Sequence, residues 1–149
     1  MVWIGIICFL LIVVGGSLLN GGLPTCLSDI YYRISSVFTV LMVAMAICFL
    51  PSMLEVTQEE FQFLAFLACG GIMFVGVAPN YKEELEGKVH KASALVSCFC
   101  SVAWVTMVSP WNLLFTSLLF IALADKKRWL FWFELLCFIM VIATMLEKC

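Results

Sequence analysis

The sequence predicts an all-α membrane protein, a polytopic bundle of about six transmembrane helices. Of the 149 residues, 64% are hydrophobic and only 12% are charged, and the mean hydropathy is +1.13. Soluble domains are roughly half apolar and a quarter charged, so the composition indicates a membrane protein. The apolar residues also form long runs separated by short polar segments, and a helix needs about 20 such residues to cross a bilayer core.

Six apolar runs account for most of the chain. We predict one span in each run, at residues 2–19, 35–53, 61–79, 91–109, 111–124 and 129–146. The run at 111–124 has the length of a core or re-entrant helix, so five spans plus a re-entrant segment is the alternative. The connecting segments are short, and residues 1–149 are therefore expected to form a single integral membrane domain.

The basic residues predict the orientation of the bundle. Seven of the eight lysines and arginines lie in the first, third and fifth loops: Arg33, Lys82, Lys88, Lys91, Lys126, Lys127 and Arg128. Only Lys148 lies on the other side. The positive-inside rule therefore predicts that these loops are cytoplasmic and that both termini are outside. We expect the protein in a bacterial plasma membrane.

Composition and spacing also exclude several functional classes. Six of the eight cysteines lie inside apolar runs, where they are expected to be small buried side chains. The cysteines and the single histidine do not have the spacing of a zinc motif, so we predict no metal and no other cofactor. The net charge of −2 is too small to indicate any partner, and the lack of a basic domain excludes a nucleic-acid partner.

Polar residues concentrate at the predicted cytoplasmic side. The first loop contains LSDIYYR at residues 27–33, the fourth span begins next to a histidine, and an acid lies about five residues into the sixth span, roughly 8 Å below the surface. An acid in a span costs free energy and usually faces the bundle interior. We predict a polar pocket with these candidate ligand-binding residues: Ser28, Asp29, Tyr32, Arg33, His90 and Glu134.

These residues also have a purely structural interpretation. Ser28 or Asp29 could cap a helix, and Tyr32 could belong to the aromatic belt at the membrane surface. Glu134 could be a single acid that extends to the interface, whereas a Glu134 that faces the interior would need Arg33, His90, a tyrosine hydroxyl or its own proton as its partner. The sequence leaves both interpretations open.

One face of the fourth span is small and polar. The residues on it follow each other at intervals of four, three, four and three positions: His90, Ala94, Ser97, Ser101 and Trp104. This spacing puts them on one helical stripe. Close helix packing is the expected role of Ser97 and Ser101. His90 could also accept a proton or bind a phosphate or carboxylate.

Two segments carry a resemblance to known proteins. LSDIYYR and APNYKEELEGKVHKASA, with an acid in the last span, resemble elements of small six-span bacterial membrane proteins that contain S-D-x-Y-Y after the first span and H-x-x-x-A at the fourth. More distantly, Ser28, Asp29 and His90 are similar to residues of the alkaline ceramidase superfamily, which are seven-span metal-dependent lipid amide hydrolases. Those enzymes hold zinc with three histidines, and this chain has one, so the metal site is not transferred.

Four functions are consistent with these features. We expect a protein that binds a lipid headgroup or a small polar ligand in the pocket, with membrane lipid, a small molecule or a second copy of the chain as partners. The alternatives are an intramembrane lipid hydrolase with Ser28 as nucleophile or Asp29 as base, a small proton-coupled transporter using Glu134 and His90, and a structural membrane subunit. Whether the protein is an enzyme is left open.

Overall fold

The protein is a bundle of membrane-length helices. The computed structural model describes residues 1–79, 82–118 and 125–148, and every regular element in these ranges is helical. Five helices are long and apolar enough to cross a membrane: α1 (Val2–Leu19), α2 (Ser36–Glu55), α3 (Glu59–Val77), α4 (Glu84–Val108) and α5 (Trp129–Lys148). The predicted all-α membrane fold is confirmed.

The predicted fifth span, 111–124, is described only in part. A 3-10 helix covers Pro110–Leu118, and residues 119–124 lie outside the described residues. The Asn112 amide donates a 3.0 Å hydrogen bond to Thr144 Oγ1 near the end of α5, whereas the Trp132 indole donates to Asp125 near its start, at 3.4 Å. The chain therefore passes from one end of the bundle to the other between residues 112 and 125. Five helices of membrane length are described, and the crossing at 111–124 stays a prediction.

Four of the predicted spans agree with the observed helices to within two residues at each end, and the span at 91–109 does not. Helix α4 begins at Glu84, seven residues earlier than predicted. Its first turn is polar, with acidic residues near the positive end of the helix dipole and a 2.8 Å ion pair between Glu84 and Lys88. Because this turn is polar, it does not belong to the apolar run from which the span was predicted. His90 consequently lies inside α4, in its second turn.

The helix directions bring three basic segments to one end of the bundle. Arg33 follows α1, Lys82 precedes α4, and Lys127 and Arg128 precede α5, and all four line one cavity. We call this end the basic face. The opposite end contains the last turn of α5, where Glu147 accepts a 2.6 Å hydrogen bond from the Ser109 hydroxyl.

The polar stripe of α4 faces the bundle interior, as predicted from its spacing. His90, Ser97, Ser101 and Trp104 are buried, and Ala94 is half-buried. The Ser97 hydroxyl donates a 2.9 Å hydrogen bond to a backbone carbonyl of α3, that of Ala68. Ser97 therefore has the packing role that membrane helices commonly give to small hydroxyl residues.

Helices α3 and α4 approach each other closely at Gly71. A Cβ atom added to Gly71 would lie 2.7 Å from Ser97 Cβ and 2.8 Å from the Ser93 carbonyl oxygen. A Cβ atom added to the neighbouring Gly70 would meet no described atom within 4 Å. Substitution by alanine therefore adds the same methyl group at both positions, but at Gly71 into a close helix contact and at Gly70 into open space.

We expect Gly71→Ala to destabilise the bundle by about 1–3 kcal/mol, because the added methyl group would force α3 and α4 apart. Gly70→Ala should leave stability unchanged or raise it by up to about 1 kcal/mol through helix propensity. Thermal unfolding of both variants in the same detergent measures the difference. Equal midpoints for the two variants would contradict the close contact at Gly71.

Candidate functional site

A polar turn between α1 and α2 provides the first wall of the candidate site. Residues Leu27–Ile30 form a short 3-10 helix, and Tyr31–Ile34 continue as a single α-helical turn. Ile30 is fully buried and packs on Gly16 of α1, where an added Cβ would lie 2.5 Å from Ile30 Cγ2. This contact holds the turn against the bundle, and Ser28 is buried with it, at 3% exposure.

Asp29 caps the start of this turn. Its Oδ2 atom accepts hydrogen bonds from the backbone N–H groups of Thr25, at 3.1 Å, and Cys26, at 3.3 Å, and from the Thr25 hydroxyl. A carboxylate that satisfies N–H groups ahead of a helical turn is a typical capping arrangement. The geometry therefore gives Asp29 a positioning role in the turn.

Ser28 and His90 form the central contact of the site. The Ser28 hydroxyl oxygen lies 2.8 Å from His90 Nε2, and His90 Nδ1 lies 2.9 Å from the Ala78 carbonyl oxygen. A carbonyl can only accept, so Nδ1 carries a proton. In the neutral imidazole, Nε2 is then the acceptor for the Ser28 hydroxyl. The backbone at the end of α3 thus selects the tautomer in which His90 can take a proton from Ser28.

Glu134 joins the last helix to the same turn. Its Oε2 atom accepts a 2.8 Å hydrogen bond from the Leu27 backbone N–H, and the Thr25 carbonyl accepts a 3.2 Å bond from the Phe131 N–H. The position of Glu134 in the sequence predicted that it would need a partner, and the expected partners were side chains or a proton. The partner is the main-chain amide at the first residue of the 3-10 helix, where an N–H has no helical partner, and no side-chain pattern could indicate it.

A cavity of about 430 Å³ opens beside these groups. Its polar lining includes Ser28, His90 and Glu134, and apolar side chains supply most of the remainder: Ala94, Leu95, Leu130 and Phe133. An interior space of about 50 Å³ lies next to it and has Ser28, Ala94 and Glu134 in common with it. An elongated apolar group could therefore lie in the larger cavity with its polar end at Ser28 and His90.

Cys26 also lines the cavity, but it is not a competing nucleophile. Burial, together with the nearby carboxylates of Glu134 and Asp29, raises the pKa of its thiol to about 12. The thiol is therefore protonated at neutral pH, and the thiolate is the reactive form of cysteine. Ser28 is the nucleophile candidate because its hydroxyl oxygen lies 2.8 Å from a base, His90 Nε2.

The six predicted site residues are divided between two cavities. Ser28, His90 and Glu134 line the cavity just described, whereas Asp29, Tyr32 and Arg33 line a second, polar cavity on the basic face. Ser28 and Asp29 are adjacent in sequence, yet the turn directs them to opposite sides. Three further cations line the second cavity: Lys82, Lys127 and Arg128. From the sequence, these three predicted only the orientation of the bundle in the membrane.

Within residues 1–79, 82–118 and 125–148, no group of three or more histidine, cysteine, aspartate or glutamate side chains is arranged to hold a metal ion. Comparison of the chain with protein-family models, with curated proteins and with solved structures gives no match.

The tautomer of His90 can be measured directly, because His90 is the only histidine in the chain. We expect ¹⁵N-histidine NMR of the protein in detergent at pH 8 to show a protonated Nδ1 and an unprotonated Nε2. Ser28→Ala should keep this tautomer, since the Ala78 carbonyl selects it, and should shift the Nε2 resonance. A signal from the opposite tautomer would contradict the hydrogen bond to Ala78.

Proposed function

We propose that this integral membrane protein binds an amphiphilic molecule, a lipid or a lipid-like compound, in the 430 Å³ cavity. One observation supports the proposal above all: a largely apolar cavity in a membrane bundle has a buried serine, a buried histidine and a carboxylate together in its lining. Ligand sites are commonly concave and apolar, with a few polar groups that fix the orientation of the ligand.

The chemistry of the lining suggests how such a molecule would lie. Its hydrocarbon part would contact Leu95, Leu130 and Phe133, and its ester, amide or hydroxyl group would lie beside Ser28 and His90. Burial of hydrocarbon stabilises a lipid little when it leaves the bilayer, because lipid tails are already apolar. Recognition would therefore depend on the polar end of the cavity.

A variant that fills the cavity tests the proposal. Ala94 lines both the cavity and the adjoining interior space, whereas Ala92, two residues earlier on α4, is exposed. We expect Ala94→Phe to lower the lipid that co-purifies in mild detergent at least fivefold, because the ring would occupy ligand space. Native mass spectrometry measures the bound mass.

Ala92→Phe is the matched control and should retain lipid like the wild type. Size-exclusion chromatography and helical circular dichroism of both variants would show that each remains folded. If folded Ala94→Phe retained as much lipid as Ala92→Phe, the cavity would not be the binding site.

A second candidate function is hydrolysis of a lipid ester or amide, and the Ser28–His90 hydrogen bond favours it. The 2.8 Å separation is within the range required of a nucleophile and its base. Ser28 Oγ would attack the carbonyl carbon while its proton passes to His90 Nε2. His90 would then return that proton to the leaving alcohol or amine, and water would release the acyl group from Ser28.

A fluorophosphonate probe tests this second candidate, since it bonds to an activated serine and releases fluoride. We expect labelling of the wild type, loss of label in Ser28→Ala, and at least a tenfold slower reaction in His90→Gln, because general-base catalysis is worth 10²-fold or more. Ser17→Ala is the control. Its hydroxyl is buried and has no hydrogen-bond partner among the described residues. An unlabelled wild type would rule against the hydrolase and leave lipid binding as the function.

We also propose that the basic face is cytoplasmic, in a bacterial plasma membrane, with both termini outside. The support is the concentration of lysine and arginine at that end of the bundle. A green fluorescent protein fused after Lys127 should then fluoresce, and one fused after Lys148 should not. The reverse pattern would contradict the orientation. Fluorescence from both fusions would contradict a membrane crossing by α5, which lies between the two fusion points.

A further inference from the structure

The second cavity is a basic basin on the outer side of the polar turn. It encloses about 350 Å³, and four cations from three separate chain segments line it: Arg33, Lys82, Lys127 and Arg128. These residues are up to 95 positions apart in the sequence, so the fold, and not a local run of charge, brings them together. We call this set the basic basin.

The charges of the basic basin are only partly balanced. Asp29 is the one carboxylate in the described lining, and its Oδ2 atom accepts hydrogen bonds from the turn. Asp125, beside the basin, lies 4.0 Å from Arg128. Two acids against four cations leave two positive charges in excess. Like charges that line one cavity repel, and a bound anion would offset that repulsion.

The side chains around the basin are arranged for a compact, oxygen-rich anion. The Arg33 Nε–H donates a 3.3 Å hydrogen bond to the side-chain Oδ1 of Asn20, which orients the guanidinium group. The Lys82 ammonium lies 4.2 Å from the centre of the Tyr32 ring. Guanidinium groups bind phosphate through paired N–H donors, and lysine adds a point charge. A phosphate group matches this combination of donors and the excess of two charges.

The basin and the apolar cavity are the two sides of one turn. Thr25 and Asp29 line the basin, whereas Cys26 and Ser28 line the cavity. We infer that the basic basin binds the phosphate of an anionic amphiphile whose hydrocarbon part occupies the cavity beyond the turn. The hydrocarbon part of this inference rests on the proposed function, whereas the phosphate site rests on the basin alone.

The experiment is competitive lipid binding to the delipidated full-length protein. Equimolar phosphatidylglycerol and phosphatidylcholine are added, and native mass spectrometry gives both the total lipid bound and the ratio of the two lipids. The ratio reports on the basin and the total reports on the cavity. We expect the wild type to prefer phosphatidylglycerol at least fivefold.

The double variant Lys127→Gln/Arg128→Gln removes the two excess positive charges of the basin and should therefore bring this preference close to parity. Lys88→Gln is the matched control. Lys88 is an exposed lysine at the same end of the bundle, paired with Glu84, and does not line the basin. It should retain the wild-type ratio.

Free phosphate is the alternative source of the same chemistry. If the wild type shows no lipid preference but inorganic phosphate raises its unfolding temperature more than chloride at equal ionic strength, and the double variant loses that effect, the basin binds a soluble phosphate compound. If neither phosphatidylglycerol nor inorganic phosphate distinguishes the wild type from the double variant, the inference is overturned.

Ala94→Phe separates the inference from the proposed function. If Ala94→Phe leaves the total lipid unchanged while the double variant still alters the ratio of phosphatidylglycerol to phosphatidylcholine, lipid binding in the apolar cavity is contradicted and the phosphate site is supported. If Ala94→Phe lowers the total while the double variant leaves the ratio unchanged, the cavity stands and the phosphate site fails.

Discussion

The need to satisfy main-chain hydrogen bonds at the end of the bundle determines the arrangement of the site. Between α1 and α2 the chain leaves the helical path and packs Ile30 into the core, so N–H groups in this turn have no helical partner. Glu134 accepts from Leu27, and Asp29 accepts from Thr25 and Cys26. The two carboxylates hold the turn in place, and the turn positions Ser28 against His90.

The same hydrogen bonds explain why one polar loop provides two different environments. The turn is pinned to α5 by Glu134 on one side and closed by Asp29 on the other. Different residues of the one turn consequently line an apolar cavity and a basic basin. A membrane amphiphile has the same division into hydrocarbon and charged phosphate. The agreement between the two chemistries, and not any single residue, supports lipid recognition.

Several features of the site could be predicted from sequence because they depend on local spacing or on the solvent. The buried stripe of α4 follows from helical periodicity, and the predicted inward position of Glu134 follows from the cost of a charge in hydrocarbon. The early start of α4 was not predicted, because its first turn has the composition of a loop. The carbonyl of Ala78 that orients His90 was not predicted either, because every residue carries such a group and only the fold brings one to the ring.

The sequence by itself determined the all-α membrane class, the positions of the spans to within two residues for four of them, and the concentration of basic charge on alternate loops, since hydropathy and charge act locally. The tertiary structure alone decided which polar groups meet. Ser28 and His90 are 62 positions apart, and Leu27 and Glu134 are 107 apart. Such contacts depend on how each helix rotates about its axis and on how deeply the turn enters the bundle. Both are set by the packing of residues such as Gly16, Ile30 and Gly71, which become neighbours of distant chain segments only in the folded bundle.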